Sequence, residues 1–481
     1  MPFISGLPED NFERFMGDDL EIFGVESEFA QKLKWMDTFV REEVEPLDHL
    51  GFSPYDTKHP LRAALFPALQ QRVREQGLWA CHLGPELGGP GYGQMKLALM
   101  NMILGRSTCA SKIFGTAAPD TGNSEILAHF GTPEQKRQYL EPLLADQISS
   151  CWSMTEPKGG ADPTGFITRA VQDPATGEWI INGEKIWSSN AKYSAFFLVS
   201  AVTEASPDAA HKSQSVFVVD ANNPGLKIVR NLGVGLTEMD HSQKEPGMAG
   251  GSHGHVAYID CRVPKDALLG NRGDGFLIQQ TRLSGGRIHY GMRAVGNCKK
   301  ALDMCLVRVN SRWTKGEALS QKQLVQNMLA EAWMELEQLK LLVLRTAYKI
   351  DKYNDYKKVR LDISACKVLC SKVQASIARK AIQIHGGIGA SWDLPLANML
   401  ISGLVLGIAD GPSEVHVQVV AKQLLRGYSG TRETYGDFPE YSKDNLKREA
   451  FEKFAPVLRR IGIGLDKKEN EGGVSLSWSK L

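Results

Sequence analysis

No run in this chain approaches the roughly 20 consecutive apolar residues that span a bilayer, so no transmembrane segment is expected. The first thirty residues lack an apolar core flanked by basic side chains, and no secretory leader is expected. Charge of one sign is also missing: 56 basic against 55 acidic side chains leave a formal net charge of +1. That balance gives no basic footprint for nucleic acid. Eight cysteines are scattered at 81, 109, 151, 261, 298, 305, 366 and 370, and none forms a CxxC pair. Zinc and dithiol sites are therefore not expected, and reduced thiols are; Cys366 and Cys370, one helical turn apart, should be buried. His253 and His255 form an HxH with no third ligand nearby, which predicts polar loop or surface roles and no metal. Internal repeats and low-complexity blocks are absent.

What is present is ordinary for a globular protein: 42% hydrophobic and 23% charged residues over a length of 481. That length allows a large core divided into two or three domains. Amphipathic spacing at Phe29–Val40 and Leu61–Gln76 predicts helices, separated from later ones by the Gly/Pro break 84–93. Thr132-Pro133-Glu134-Gln135 carries a helix start: a cap, Pro at the first position and an acid in the first turn. From 151 the pattern becomes short β-rich runs between turn residues: Trp179–Gly183, Phe196–Val202, Ser215–Val219, Leu226–Val229 and Val256–Ile259. After 276 it is helical again. Leu336, Leu339, Val343, Ala347 and Ile350 share one stripe, and Ile363, Cys366, Leu369 and Val373 another. The expected order is an N-terminal helical domain (1–150), a middle β domain (151–275), a helical bundle (276–430) and a charged, irregular tail (431–481). The class is α+β, multidomain.

Three segments carry chemistry. Cys151-Trp152-Ser153-Met154-Thr155-Glu156-Pro157 is a strand ending in a turn. Lys185-Ile186-Trp187-Ser188-Ser189-Asn190 sets an indole among small hydroxyls. A backbone turn and an indole at fixed separation suit a planar heteroaromatic ring with polar edges. The third is Ile408-Ala409-Asp410-Gly411-Pro412-Ser413-Glu414-Val415-His416, which follows the Gln383-x-x-Gly386-Gly387 segment by about one helix.

With these motifs in this order, residues 30–428 resemble the acyl-CoA dehydrogenase family. The resemblance implies an N-terminal helical domain, a middle β-barrel or sheet domain and a C-terminal four-helix bundle, binding FAD and assembling as a homodimer or homotetramer. Trp152, Met154 and Thr155 would then lie at the flavin, Trp187 beside its ring and Ser189 near its reactive nitrogen. Arg312 and Thr314 would grip the FAD pyrophosphate of a neighbouring subunit, as a planar guanidinium suits. Gln383 and Gly387 would meet it across the dimer interface, and Pro412 and Glu414 would also be cofactor contacts. Pro412 lacks the hydroxyl usual there, and Lys315 replaces an aromatic. For the acyl-CoA substrate, Arg287 would make a polar contact to CoA or to another subunit. Ala161, in place of a serine, would offer only backbone, and Gly411 would allow close approach.

Asp410 would be the base that removes the α-proton of a thioester, where most of the family has Glu. Its own backbone N–H would help hold the thioester oxygen. The Asp resembles the branch of mammalian members ten and eleven. It also keeps a nitroalkane-oxidase-like enzyme open as an alternative, beside a non-catalytic flavoprotein that binds acyl-CoA or nucleic acid. The last three residues, Ser479-Lys480-Leu481, are read at a free C-terminus by the peroxisomal import receptor, so a peroxisomal address in fatty-acid β-oxidation is expected. There the electron acceptor is open between oxygen and a carrier flavoprotein.

Overall fold

The computed structural model describes residues 6–85, 89–204, 211–234, 253–428, 442–462, 464–470 and 473–479, with backbone alone at 284–286, 444, 464–470 and 473–479. It divides into two units, Met1–Ala421 and Lys422–Leu481.

The first unit begins with helices α1 (Asn11–Ile22), α2 (Ser27–Phe39), α3 (Pro60–Glu75), α4 (Gly93–Leu104), α5 (Ala110–Ile113), α6 (Asp120–Phe130), α7 (Pro133–Gln135) and α8 (Glu141–Leu144). The expected start at Thr132 is a full capping box, Thr132 and Gln135 each accepting from the other's backbone N–H. The Gln135 amide also donates to the Asp266 and Leu268 carbonyls, at 2.8 and 3.1 Å, and so ties these helices to the sheet.

The middle of the chain supplies β1 (Ser150–Ser153), β2 (Arg169–Gln172), β3 (Trp179–Ser189), β4 (Phe196–Val202), β5 (Gln214–Asp220), β6 (Leu226–Leu232), β7 (His253–Val263) and β8 (Leu268–Leu269). Their order is β6-β7-β3-β1-β4-β5-β8, with β2 bridging β3 and β4. Strand β4 is apolar on both faces because both are covered. Phe197 and Val199 pack with Cys151 and Phe217, while Phe196 and Leu198 pack with Trp152 and with Ile126 and Leu127 of α6.

Three long helices follow: α9 (Gly275–Ser311), α10 (Gln323–Tyr353) and α11 (Arg360–His385), then α12 (Leu396–Leu406) and α13 (Ser413–Leu425). The predicted stripes are buried, with Leu339, Val343, Ala347 and Cys366 fully so and Leu369 partly. They share one core with α1–α5, so two helical stretches far apart in sequence are packed as one body. All eight cysteines are free and buried. In the second unit the tail is less irregular than its composition suggests. It holds a helix, Lys443–Arg460, started by the Ser442 hydroxyl accepting from Asn445 N–H, and an antiparallel pair, 464–470 with 473–479. Lys480 and Leu481 lie outside the described residues, as do positions 235–252 of the Gly/His-rich loop.

Candidate active site

Asp410 sits in the turn between α12 and α13. Its backbone is left-handed (φ 54°), and Gly411 follows at φ 99°. Aspartate tolerates that region better than most L residues, and glycine tolerates it freely. The turn is set by α11, which satisfies two orphan carbonyls at the end of α12 and bonds a third further back in it. Ser371 Oγ donates to the Gly403 carbonyl at 2.8 Å, Gln374 Nε2 to Met399 at 3.0 Å, and buried Lys367 Nζ to Leu406. Gly403 permits the approach, since a Cβ there would stand 2.8 Å from the Ala375 nitrogen.

Two side chains hold the Asp410 carbonyl: Arg287 Nε donates at 3.3 Å and His416 Nε2 lies at 3.4 Å. Burial pushes His416 down to about 4, helped by the Arg287 charge, so its ring is neutral near pH 7. With Nε2 donating, Nδ1 is the acceptor facing Ser364 Oγ at 3.3 Å. The Tyr290 hydroxyl faces the Asp410 carboxylate, whose charge, followed by burial, pushes the phenol far up and keeps it protonated. Burial disfavours the Arg282 charge, and Asp410 is its leading compensation. Among the described residues no backbone carbonyl accepts from the Asp410 N–H.

Arg282 connects this turn to the sheet. Its guanidinium lies over the Trp152 ring at 4.6 Å, and its Nε donates to Asn123 at 2.9 Å. Trp152 pairs across the ladder with Ser189, and Ser189 with His253. Beneath that row, Tyr258 Oη donates to Ser153 Oγ at 2.8 Å, and Ser153 meets Ser188 Oγ at 3.0 Å. The Met154-Thr155 turn is tied down from β3. Fully buried Lys185 donates to the Met154 carbonyl (2.8 Å) and to Glu156 (2.9 Å), and Ile186 N–H to Thr155 (2.8 Å). Glu156 also accepts from the Ile167 and Thr168 N–H groups at 2.7 and 2.8 Å. Burial brings Lys185 down to about 8 against the pull of Glu156.

Family models for the N-terminal, middle and C-terminal domains of acyl-CoA dehydrogenases match residues 28–147, 151–245 and 273–425. The chain belongs to the acyl-CoA dehydrogenase family. It is 35% identical to mouse acyl-CoA dehydrogenase family member 10, over 82% of this chain and 37% of that one. It is 34% identical to the Mycobacterium tuberculosis protein named probable acyl-CoA dehydrogenase FadE2, over 84% of this chain and 91% of that one. A Mycobacterium abscessus structure described as an acyl-CoA dehydrogenase superposes with a TM-score of 0.73 at 32% identity, covering 84% of this chain and 99% of its own. The chain spans about half or less of the animal members ten and eleven it matches.

The acyl-CoA dehydrogenases are FAD-dependent oxidoreductases, and nine of the fifteen expected site residues fall in two groups here. Trp152, Met154, Thr155, Trp187 and Ser189 line one wall, and Arg287, Asp410, Gly411 and Pro412 stand across Arg282 from it. Arg287, expected at CoA or another subunit, reaches the Asp410 turn of its own chain. Exposed Arg312 and Thr314 lie at the far end of α9, about 37 Å along the helix from Arg287. Exposed Gln383 and Gly387 are at that same end, where His385 feels the Arg308 charge. Glu414 and Ala161 are solvent-facing. The HxH is a correction in part, since His253 and His255 are strand residues of β7 rather than loop. They pair with Ser189 Oγ (3.0 Å) and Glu184 (3.1 Å), and no metal-ligating cluster occurs among the described residues. Sequence reasoning missed Arg282 and Tyr290, near Arg287 on α9, because their helix spacing does not separate a site face from a buried polar one.

The wall fits a flavin. Trp187 is 50% exposed although it lies beside the sheet core, and its φ of 60° turns the indole out of the ladder. Ser189 beside it is a short hydroxyl at the open edge, and the buried Asn190 amide nitrogen next in sequence has no partner. An aromatic face with small polar donors at its rim is the donor set that such a ring requires.

Proposed function

We propose that this protein oxidises acyl-CoA thioesters to trans-2-enoyl-CoA in peroxisomal β-oxidation. The observation that carries the reading is the Asp410 turn, linked through Arg282 and Trp152 to the wall that fits a flavin. Bound FAD would accept the β-hydrogen as hydride. Asp410 takes the α-proton, and its unengaged backbone N–H is placed to receive the thioester oxygen as negative charge develops there. Protonated Tyr290 and the Arg282 charge face the carboxylate and aim it before substrate binds. Arg287 and His416 hold the carbonyl of the same residue, and so the plane of the Asp410–Gly411 peptide.

Arg312, Thr314, Gln383 and Gly387 are too far along the bundle to reach the same cofactor as Asp410, so they serve a second copy. An exposed apolar stripe supports that assembly: Met334, Leu341 and Tyr348 recur at seven-residue steps on α10, with Leu324 and Trp333 beside them.

The test is anaerobic bleaching of the bound flavin by a panel of acyl-CoAs. Asp410→Asn should keep FAD and lose bleaching by about 1,000-fold, the scale expected of a general base. Unchanged bleaching would remove Asp410 from the mechanism, and turnover of nitroethane but of no acyl-CoA would move the protein to the nitroalkane-oxidase type. Peroxide released per enoyl-CoA formed assigns the acceptor; a ratio near zero excludes oxygen. Ser479-Lys480-Leu481 supports the peroxisomal address. A fluorescent fusion keeping that terminus should colocalise with a peroxisomal marker and lose it on deletion of the tripeptide.

A further inference from the structure

We propose that His253 is a positioning residue for the hydride-accepting edge of the flavin, acting through the Ser189 hydroxyl. The inference rests on the functional reading above and names a residue that reading does not use.

Strand register creates the arrangement. After a first shift between Ile181 and Gly183, β3 and β7 pair from Gly183 opposite Tyr258 to Lys185 opposite Val256, slip again at a bulge, and resume with Ser188 opposite Gly254 and Ser189 opposite His253. A bulge bends the strand and re-aims a side chain. Here it turns Trp187 outward at φ 60°, a conformation that costs a bulky L residue on the order of 1–3 kcal/mol. The same slip sets the two hydroxyls of Ser188 and Ser189 to different tasks. Ser188 is fully buried and joined to Ser153 and, through it, to Tyr258, whereas Ser189 stays partly open at the rim. His253 then meets Ser189 Oγ through Nδ1 at 3.0 Å, and its ring meets Trp187 edge-on at 6.2 Å.

A lone serine hydroxyl rotates among three staggered wells and can donate or accept. Engaged by an imidazole nitrogen, it keeps one side fixed and presents the other to the site. Nδ1 can serve as donor or as acceptor according to tautomer. When Nδ1–H donates to Ser189, the hydroxyl is free to donate outward; when Nδ1 accepts, Ser189 accepts from outside. A flavin edge accepts a hydrogen bond before the hydride arrives and carries an N–H afterwards. The His253–Ser189 pair can satisfy both conditions without moving a heavy atom, which an isolated apolar neighbour of Ser189 could not support.

The experiment compares wild type with His253→Ala and His253→Asn, the latter restoring a polar atom near the place of Nδ1. Three quantities are read: FAD content with thermal midpoint, the flavin midpoint potential without substrate, and anaerobic bleaching by butyryl-, octanoyl- and palmitoyl-CoA. The alanine variant should hold FAD and melt as wild type does. Its potential should shift and its limiting bleaching rate fall about tenfold, with half-saturation unchanged. Tenfold is about 1.4 kcal/mol, the scale of one hydrogen bond. Asparagine should recover the rate to within about twofold. Wild-type potential and rate in the alanine variant would overturn the proposal, and so would equal losses in both variants that follow loss of FAD. If no acyl-CoA bleaches the wild-type flavin, the functional reading fails instead, and the potential measurement still judges His253.

Discussion

The two sides of the site are built differently. In the sheet wall, buried polar groups are paired at short distances: Lys185 to Met154 and Glu156, Glu156 to two backbone N–H groups, and Tyr258 through Ser153 to Ser188, all between 2.7 and 3.0 Å. Across from it, the Asp410 carbonyl is held by contacts of 3.3 and 3.4 Å, long for hydrogen bonds, on two consecutive left-handed residues. A ring that accepts hydride must keep its plane, and a saturated buried network supplies that rigidity. A base needs aim, and here that aim rests on a few long contacts and two left-handed residues. The wall is held by a saturated network, so a single change in the turn should move the base more readily than one in the wall moves the ring.

The largest expected effect comes from breaking the wall. Lys185→Met leaves Glu156 buried with its cation gone, and stranding a buried charge costs about 3–5 kcal/mol. Denaturant unfolding should show that loss, and FAD should dissociate on gel filtration because the Met154-Thr155 turn is untied. A variant within about 1 kcal/mol of wild type that retains FAD would mean the wall is not rigidified by this pair.

A smaller effect belongs to the seam between the two sides. Burial pushes Glu125, on α6, up to about 7, and the Arg282 charge opposes the rise. Between the ordinary 4.5 and 7 the folded state binds the extra proton, so this group favours folding at acid pH and its contribution is lost as pH rises through that window. The full shift is worth about 3 kcal/mol. Glu125→Gln cannot titrate, so its unfolding free energy at pH 8 minus that at pH 5 should exceed the wild-type difference by most of that, about 2.5 kcal/mol. Equal differences for the two proteins would show that the Glu125 carboxyl is not held protonated against Arg282.

The wall was more legible in the sequence than the turn's surroundings. Periodicity found β4 to the residue, because Phe196–Val202 is apolar on both faces, and it found the buried stripes of α10 and α11. The Thr132 box was visible because its chemistry is local. Asp410 and Gly411 stood out through motif spacing and family resemblance. Arg282, Tyr290 and the Tyr258–Ser153–Ser188 chain did not, and His253 stood out only as half of an HxH and not for its contact with Ser189, because each acts through a contact between elements far apart in the chain. Lone polar residues inside regular elements carry no periodic signal of such a partner. The bulge at 185–188 was equally hidden, since a slip in pairing leaves the composition of both strands unchanged.

The turn itself gives the smallest but most discriminating prediction. Gly411 has φ 99°, beyond the well that other residues visit, and a Cβ there would stand 3.0 Å from His416 Nε2. Gly411→Ala therefore strains the backbone, by on the order of 1–2 kcal/mol, and pushes away the imidazole that faces the Asp410 carbonyl. Global stability should fall by about that amount, and FAD content should not change, because the wall is untouched. The bleaching rate should fall about tenfold, since a base displaced by even part of an ångström loses its aim. Removing the imidazole separates the two causes. In a His416→Gly background the alanine should cost only its backbone strain, so the two substitutions should be coupled in a double-mutant cycle. Strictly additive effects would show that His416 does not brace the turn, and loss of FAD from Gly411→Ala alone would show that wall and turn are one rigid body.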